Sequence, residues 1–208
     1  MQQETLETFL DHLASSAPTP GGGSVAALCG ALSAALSSMV ANLTLGREKF
    51  REVEPAIRHS LEHSEHLRAR FTQLIAEDIA AYGTLSAAYK LPKATPEEQQ
   101  TRSEQIQAAL VAAAEVPLQM AEQARQALEL CCTLAQMGNP NVISDVGVAA
   151  LTAHTAIESA SLNVLINLKT LKDRAAAETL AHRLDTAMQG AEPLKQAILA
   201  DVLKKIGV

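Results

Sequence analysis

Tryptophan is absent from this 208-residue chain, and other aromatics are scarce, three Phe and two Tyr. Strands draw on aromatic and β-branched side chains, so a sandwich or barrel is a poor fit. Cysteine is almost missing as well, with only Cys29, Cys131 and Cys132. Two of these are sequence neighbours and the odd count leaves one thiol unpaired within the chain, which points to a reducing cytoplasm. There is no basic excess: 17 Lys and Arg face 23 Asp and Glu, a net charge of −6. General nucleic-acid binding, which needs a cationic face to displace counterions, is thereby disfavoured. Met1 to Leu10 carries Glu4 and Glu7 and lacks a basic region followed by an apolar core, so no secretory signal is expected.

Alanine and leucine dominate instead, with 38 and 28 residues, and both favour helix. Apolar residues make up 48% of the chain, ample for a core and too many for disorder at this modest charge. The length suits one domain over residues 1–208. No charge occurs from Ala14 to Gly46. Val25 to Leu45 is long enough to span a bilayer. Only eight of its 21 residues are Val, Leu or Met, however, and five carry hydroxyl or amide side chains, so a buried helix of a soluble protein is expected and a membrane partner is not.

Leu6, Phe9, Leu10 and Leu13 mark a short first helix. The run Pro18-Thr19-Pro20-Gly21-Gly22-Gly23 breaks it, and Ser24 stands where it can cap a second helix reaching about Leu45. Ala27, Ala31 and Ala35 form one ladder on that helix, and Gly30, Ala34 and Ser38 another, so neighbours can approach closely. With no charged face for water it must be surrounded, which a dimer achieves more readily than a monomer of this size. Pro55 opens a long helix to about Tyr89; Thr95-Pro96-Glu97-Glu98 reads as a capping box for another to about Met137, kinked at Pro117. Ser144 and Asp145 start a weakly charged helix towards Lys172, and an amphipathic tail from Asp173 breaks near Gly190 to Pro193. The expected fold is all-α, a dimeric bundle of long, partly kinked antiparallel helices.

Asp78 is the most informative residue. Phe71, Leu74, Ile75, Tyr82 and Leu85 share its helix face, so a carboxylate sits in an apolar stripe, where it needs a partner or a raised pKa. Asp145 stands in the first turn of a helix, where an acid also serves the helix dipole. Gly21-Gly22-Gly23-Ser24 enters a helix without the lysine of a P-loop or the strand of a dinucleotide fingerprint. Arg47, Lys49 and Arg51 cluster after one helix, and Lys90 and Lys93 flank another helix end; these are local basic patches open to an anionic ligand. His59, His63 and His66 share helical spacing but lie among charges, and no metal site is expected from them.

Taken in order, Pro18 to Ser24 with Ala26-Ala27, Met39 to Thr44, Asp78 with Ala81-Tyr82, Leu91-Pro92-Lys93, Val116-Pro117-Leu118, Gly138-Asn139, Ser144-Asp145, and Asn163-Val164 with Ile166-Asn167 resemble the cyclodeaminase/cyclohydrolase family of folate one-carbon metabolism. The resemblance implies a helical homodimer with a folate cleft near the subunit interface and no cofactor beyond the tetrahydrofolate substrate, with or without a polyglutamate tail. It implies closure of 5-formimino-tetrahydrofolate to 5,10-methenyl-tetrahydrofolate with loss of ammonia or, alternatively, interconversion of the methenyl and 10-formyl forms. A non-catalytic folate-binding module of the same fold is the alternative of another class. On this footing Asp78, Asp145 and Lys93 are the expected catalytic residues. Gly21, Gly22, Gly23, Ser24, Arg47, Lys49, Tyr82, Asn141 and Ser144 are expected to bind substrate. Phe50 stands after Lys49 where many relatives are expected to carry tyrosine.

Overall fold

The computed structural model describes residues 5–208; Met1 to Glu4, part of the segment inspected for a leader, lie outside the described residues. These residues form seven α-helices: α1 (Leu6–Leu13), α2 (Gly22–Thr44), α3 (Glu54–Tyr89), α4 (Pro96–Met137), α5 (Ile143–Leu168), α6 (Arg174–Met188) and α7 (Ala191–Ile206). Short 3-10 turns occupy Glu48–Val53 and Pro140–Val142. No strand occurs among the described residues. The all-α expectation holds, and the breakers fall where the sequence put them.

Local chemistry sets most helix ends. At α4 the Thr95 hydroxyl accepts from the Glu98 amide at 3.2 Å while Glu98 reaches back to the Thr95 amide, the reciprocal box the spacing predicts. Between α6 and α7, Gly190 takes a φ of +71°, a left-handed conformation that a residue with a Cβ adopts at a cost. Pro193 then sits in the first turn of α7, where the amide it lacks would have no helical partner. Two expectations need correction. Ser24 does not cap α2: Gly21 is the N-cap residue and no side chain of its own caps that end. Ser144 does not open α5, which begins one residue earlier, at Ile143 after Val142.

The uncharged helix α2 runs through the bundle against α3, α4 and α5. Its small residues permit that crowding. A Cβ on Gly30 would lie 2.3 Å from the Phe71 ring, so the aromatic ring of α3 packs onto bare backbone. Ala26, Ala27, Ala34 and Ala41 on α2 and Ala149, Ala150, Ala153, Ala156 and Ala160 on α5 are buried. Alanine faces bring axes towards the short end of the usual 8–10 Å range, which is how a core forms with so few aromatics. The Ser33 hydroxyl donates to the Ala149 carbonyl at 2.8 Å across this contact.

Helices α2 and α5 are antiparallel. Asn139, just before α5, donates from its main-chain amide to Thr44 Oγ1 at 3.0 Å and from Nδ2 to the Leu43 carbonyl at 3.0 Å, fastening the start of α5 to the end of α2. At the opposite end Gly22 lies against Asn163. Although α2 and α5 are packed on their inner sides, Leu32, Met39 and Leu43 on α2 and Val148, Leu151, Leu162, Leu165 and Ile166 on α5 are exposed, Ile166 by 63%. The need for further cover that the sequence implied is therefore unmet within one chain.

Candidate active site

Asp78 lies on α3 one or two turns beyond the fully buried Phe71 and Leu74 and is itself half-buried. The Ser24 hydroxyl donates to Asp78 Oδ2 at 2.9 Å. The missing cap of α2 is thus supplied from α3: the carboxylate sits over the first turn of α2, where the amides are open and the helix dipole favours an anion. Burial nevertheless pushes its pKa above the ordinary carboxylate range, against the lowering effect of the Ser24 hydroxyl and amide. Gly23 makes the approach possible, since a Cβ there would lie 2.1 Å from Asp78 Oδ1. Gly23 therefore admits the Asp78 carboxylate, whereas Gly22 stands in ordinary contact with the Asn163 amide, 3.5 Å from its Cβ position to Nδ2.

Asp78 opens onto a cleft of about 280 Å³ that it shares with Tyr82, Leu85, Pro117, Asn163, Ile166 and Asn167. Pro117 lies inside α4, which continues through it unbroken. Having no amide proton, it leaves the Ala113 carbonyl without its helical donor. Asn167 repairs the gap, donating from Nδ2 to the Ala113 carbonyl at 3.1 Å and to the Asn163 carbonyl at 2.8 Å. Asn163 Nδ2 donates to the Ser159 carbonyl at 2.8 Å. Neither asparagine was among the expected site residues. Their signal was the i, i+4 spacing of two amides on a helix otherwise apolar at that end.

Lys93 is not beside Asp78. Helix α3 continues from Asp78 to Tyr89, roughly 16 Å at 1.5 Å per residue, before the chain turns. Lys93 instead joins Arg102 and Lys172 around a second depression of about 420 Å³, which no carboxylate lines among the described residues. The Lys172 ammonium donates to Ser103 Oγ at 2.8 Å, and Gln107 Oε1 accepts from the Lys172 amide at 2.6 Å. Pro117 in the first cleft and Gln107 in the second stand ten residues apart on α4, roughly 15 Å along the same helix. Within one chain Lys93 and Asp78 therefore stand in separate depressions.

Asn141, Ser144, Asp145, Arg47 and Lys49 gather at the other end of the molecule, where the Asn139 clamp joins α5 to α2. Arg47 and Lys49 are exposed, and the Lys49 ammonium stands 4.6 Å over the Phe50 ring. Ser24 and Thr44 are twenty residues apart on α2, roughly 30 Å. One chain therefore does not bring Asp78 and Asp145 together. His63 spends Nε2 on Gln126 Oε1 at 3.1 Å, and no metal-holding group of acidic, His or Cys side chains occurs among the described residues. Cys131 is fully buried beside Ser37, its pKa pushed up to about 12, and behaves as a core thiol.

The fold is thus an all-helical bundle with a half-buried carboxylate in a small cleft and a cationic depression farther along the same helix. Residues 5–186 match the family model described as formiminotransferase-cyclodeaminase, and the chain belongs to that family. It is 48% identical over 203 residues to the methenyltetrahydrofolate cyclohydrolase of Methylorubrum extorquens, covering 98% of both chains. It is 37% identical to rat formimidoyltransferase-cyclodeaminase, covering 95% of this chain and 37% of that longer one. The formiminotetrahydrofolate cyclodeaminase structure from Thermotoga maritima superposes with a TM-score of 0.81 at 31% identity, covering 98% of this chain and 96% of that one.

Proposed function

We propose that the protein is a folate one-carbon enzyme and that its reaction is the hydrolysis of 5,10-methenyl-tetrahydrofolate to 10-formyl-tetrahydrofolate. The end-to-end 48% identity to a stand-alone cyclohydrolase carries this choice. The methenyl carbon is an electrophile held between N5 and N10. Asp78 takes a proton from the water that attacks it, forming a tetrahedral carbon with both nitrogens attached. The C–N5 bond then breaks as Asp78 returns that proton to N5. The remaining hydroxyl proton leaves to solvent as the formyl carbonyl forms, for a net release of one proton. A carboxylate with a raised pKa in a cleft suits both transfers.

The second reading, favoured by the Thermotoga neighbour, is cyclodeaminase: N10 attacks the formimino carbon of 5-formimino-tetrahydrofolate and loses its proton, and the exocyclic =NH gains two protons and leaves as ammonia, for a net uptake of one proton. Incubating the protein with each folate separately, while following methenyl absorbance and ammonia, distinguishes them. Loss of methenyl to 10-formyl above the uncatalysed rate is expected. Methenyl gain with ammonia would favour the second reading, and binding without either reaction would favour the non-catalytic module.

The cationic depression suits the glutamate portion. Lys93, Arg102 and Lys172 stand roughly 15 Å beyond the Asp78 cleft, comparable to the reach of the aminobenzoyl spacer plus its glutamate, so a polyglutamate tail would lie there. The working unit in this proposal is a homodimer built on the exposed apolar strip of α2 and α5. Because the two polar clusters lie at opposite ends of the strip, a two-fold axis crossing it perpendicular to the helices would set the Asp78 end of one protomer beside the Asn141–Asp145 end of its partner. Arg47 and Lys49 would then approach the ligand from that partner. Such a dimer would work in the cytoplasm, its thiols reduced, with no cofactor beyond the folate.

A further inference from the structure

We infer that Asn163 and Asn167 are the residues that read the pyrimidine edge of the pterin, leaving Asp78 for proton transfer; this rests on the folate reading above. The orientation of both side chains is fixed by their surroundings. Asn163 Nδ2 faces the Ser159 carbonyl, and Asn167 Nδ2 faces the Asn163 and Ala113 carbonyls. A carboxamide oxygen turned to those places would oppose another acceptor, so nitrogen must occupy them. The oxygens are left over. Neither is among the sealed, unpartnered atoms of the core, and both residues line the cleft. Pro117 is what holds Asn167 in place, because the carbonyl it frees takes one of the two amide protons.

The result is a wall of acceptors: Asn163 Oδ1 and Asn167 Oδ1 beside the Asp78 carboxylate. A wall with its acceptors side by side favours a ligand edge carrying adjacent N–H groups, with the second Asn163 Nδ2 proton and the Tyr82 hydroxyl as the donors beside it. The 2-amino group and N3–H of a pterin are such an edge, and neutral amide oxygens can take both without consuming the ionisable group. Recognition and proton transfer are thereby divided between two asparagines and one aspartate, with apolar Leu85, Pro117 and Ile166 flanking the ring in place of an aromatic stack.

The test compares 5,10-methenyl-tetrahydrofolate with its 2-desamino-2-methyl analogue, which replaces the amino donor by a methyl group far from the reacting carbon. For the wild-type protein, KM should rise at least tenfold on the analogue while kcat changes less than threefold, because a site built to bond a donor rejects a ligand without it. In Asn163→Leu, KM for the parent folate should rise at least tenfold and the difference between parent and analogue should shrink to within about threefold, the non-additivity of a direct contact. Asn163 is the informative variant, since the Ser159 carbonyl it bonds is already served by the α5 ladder. Asn167→Leu also strands the Ala113 carbonyl and is read only where its melting profile matches wild type. Equal KM for parent and analogue in wild type, or an undiminished difference in Asn163→Leu, overturns the assignment while leaving the folate reading intact. Absence of both turnover and binding with either folate overturns the folate reading itself.

Discussion

Asp78 could be found from the sequence because periodicity alone shows a carboxylate on an apolar face; its partner could not. Ser24 stands after a glycine run, the usual place for a cap, yet its hydroxyl turns to a carboxylate 54 residues away, and no local pattern records such a pairing. Asp78→Asn keeps an acceptor for Ser24 and removes the ionisable group, so turnover should fall about 10²–10⁴-fold, the range of a lost acid–base group. Stability should move the other way. The folded-state pKa lies above the unfolded one, so the contribution of Asp78 is most favourable below the ordinary carboxylate pKa and is lost as pH rises through the raised value. At neutral pH the Asn variant should therefore melt at or above the wild-type temperature, an advantage that vanishes on acidification; calorimetry at two pH values checks it. Gly23→Ala displaces the carboxylate and should cost about 10²-fold in kcat, a typical penalty for misplacing a reacting group by about 1 Å.

At the scale of elements, caps and breakers were legible because they act within a few residues. The box at Thr95 formed as expected. Replacing Thr95 by Ala should cost about 1 kcal/mol, lowering Tm by about 2–4 °C, with kcat unchanged. The consequence of Pro117 was less legible: a lone proline predicts a kink, and the structure shows α4 continuing with a side chain from α5 supplying the missing donor. Which helix ends lie together was not legible either. The amphipathic pattern says which face is buried but not that Asp78 and Asp145 occupy opposite ends, a fact set by the antiparallel packing of α2 on α5 and the Asn139 clamp.

At the scale of the molecule, the scarcity of aromatics is answered by alanine faces that let helices crowd, and the uncovered apolar strip on α2 and α5 is what a second copy would cover. Leu165→Glu would place a charge in that strip, and sedimentation should show monomers that have lost activity with helicity retained. Complementation tests the composite site. Mixing Asp78→Asn with Asp145→Asn subunits yields heterodimers with one site carrying both changes and one carrying neither, so random assortment should restore about a quarter of wild-type activity. Recovery no greater than the sum of the separate variants would place each site within one protomer.

The most direct measurement is the rate of methenyl loss with saturating 5,10-methenyl-tetrahydrofolate, followed across pH for wild type and a correctly folded Asp78→Asn. The wild-type rate should rise with pH through a pKa above the ordinary carboxylate range, and the variant should lose both that limb and the acceleration. A variant that retains the wild-type rate and profile would contradict it.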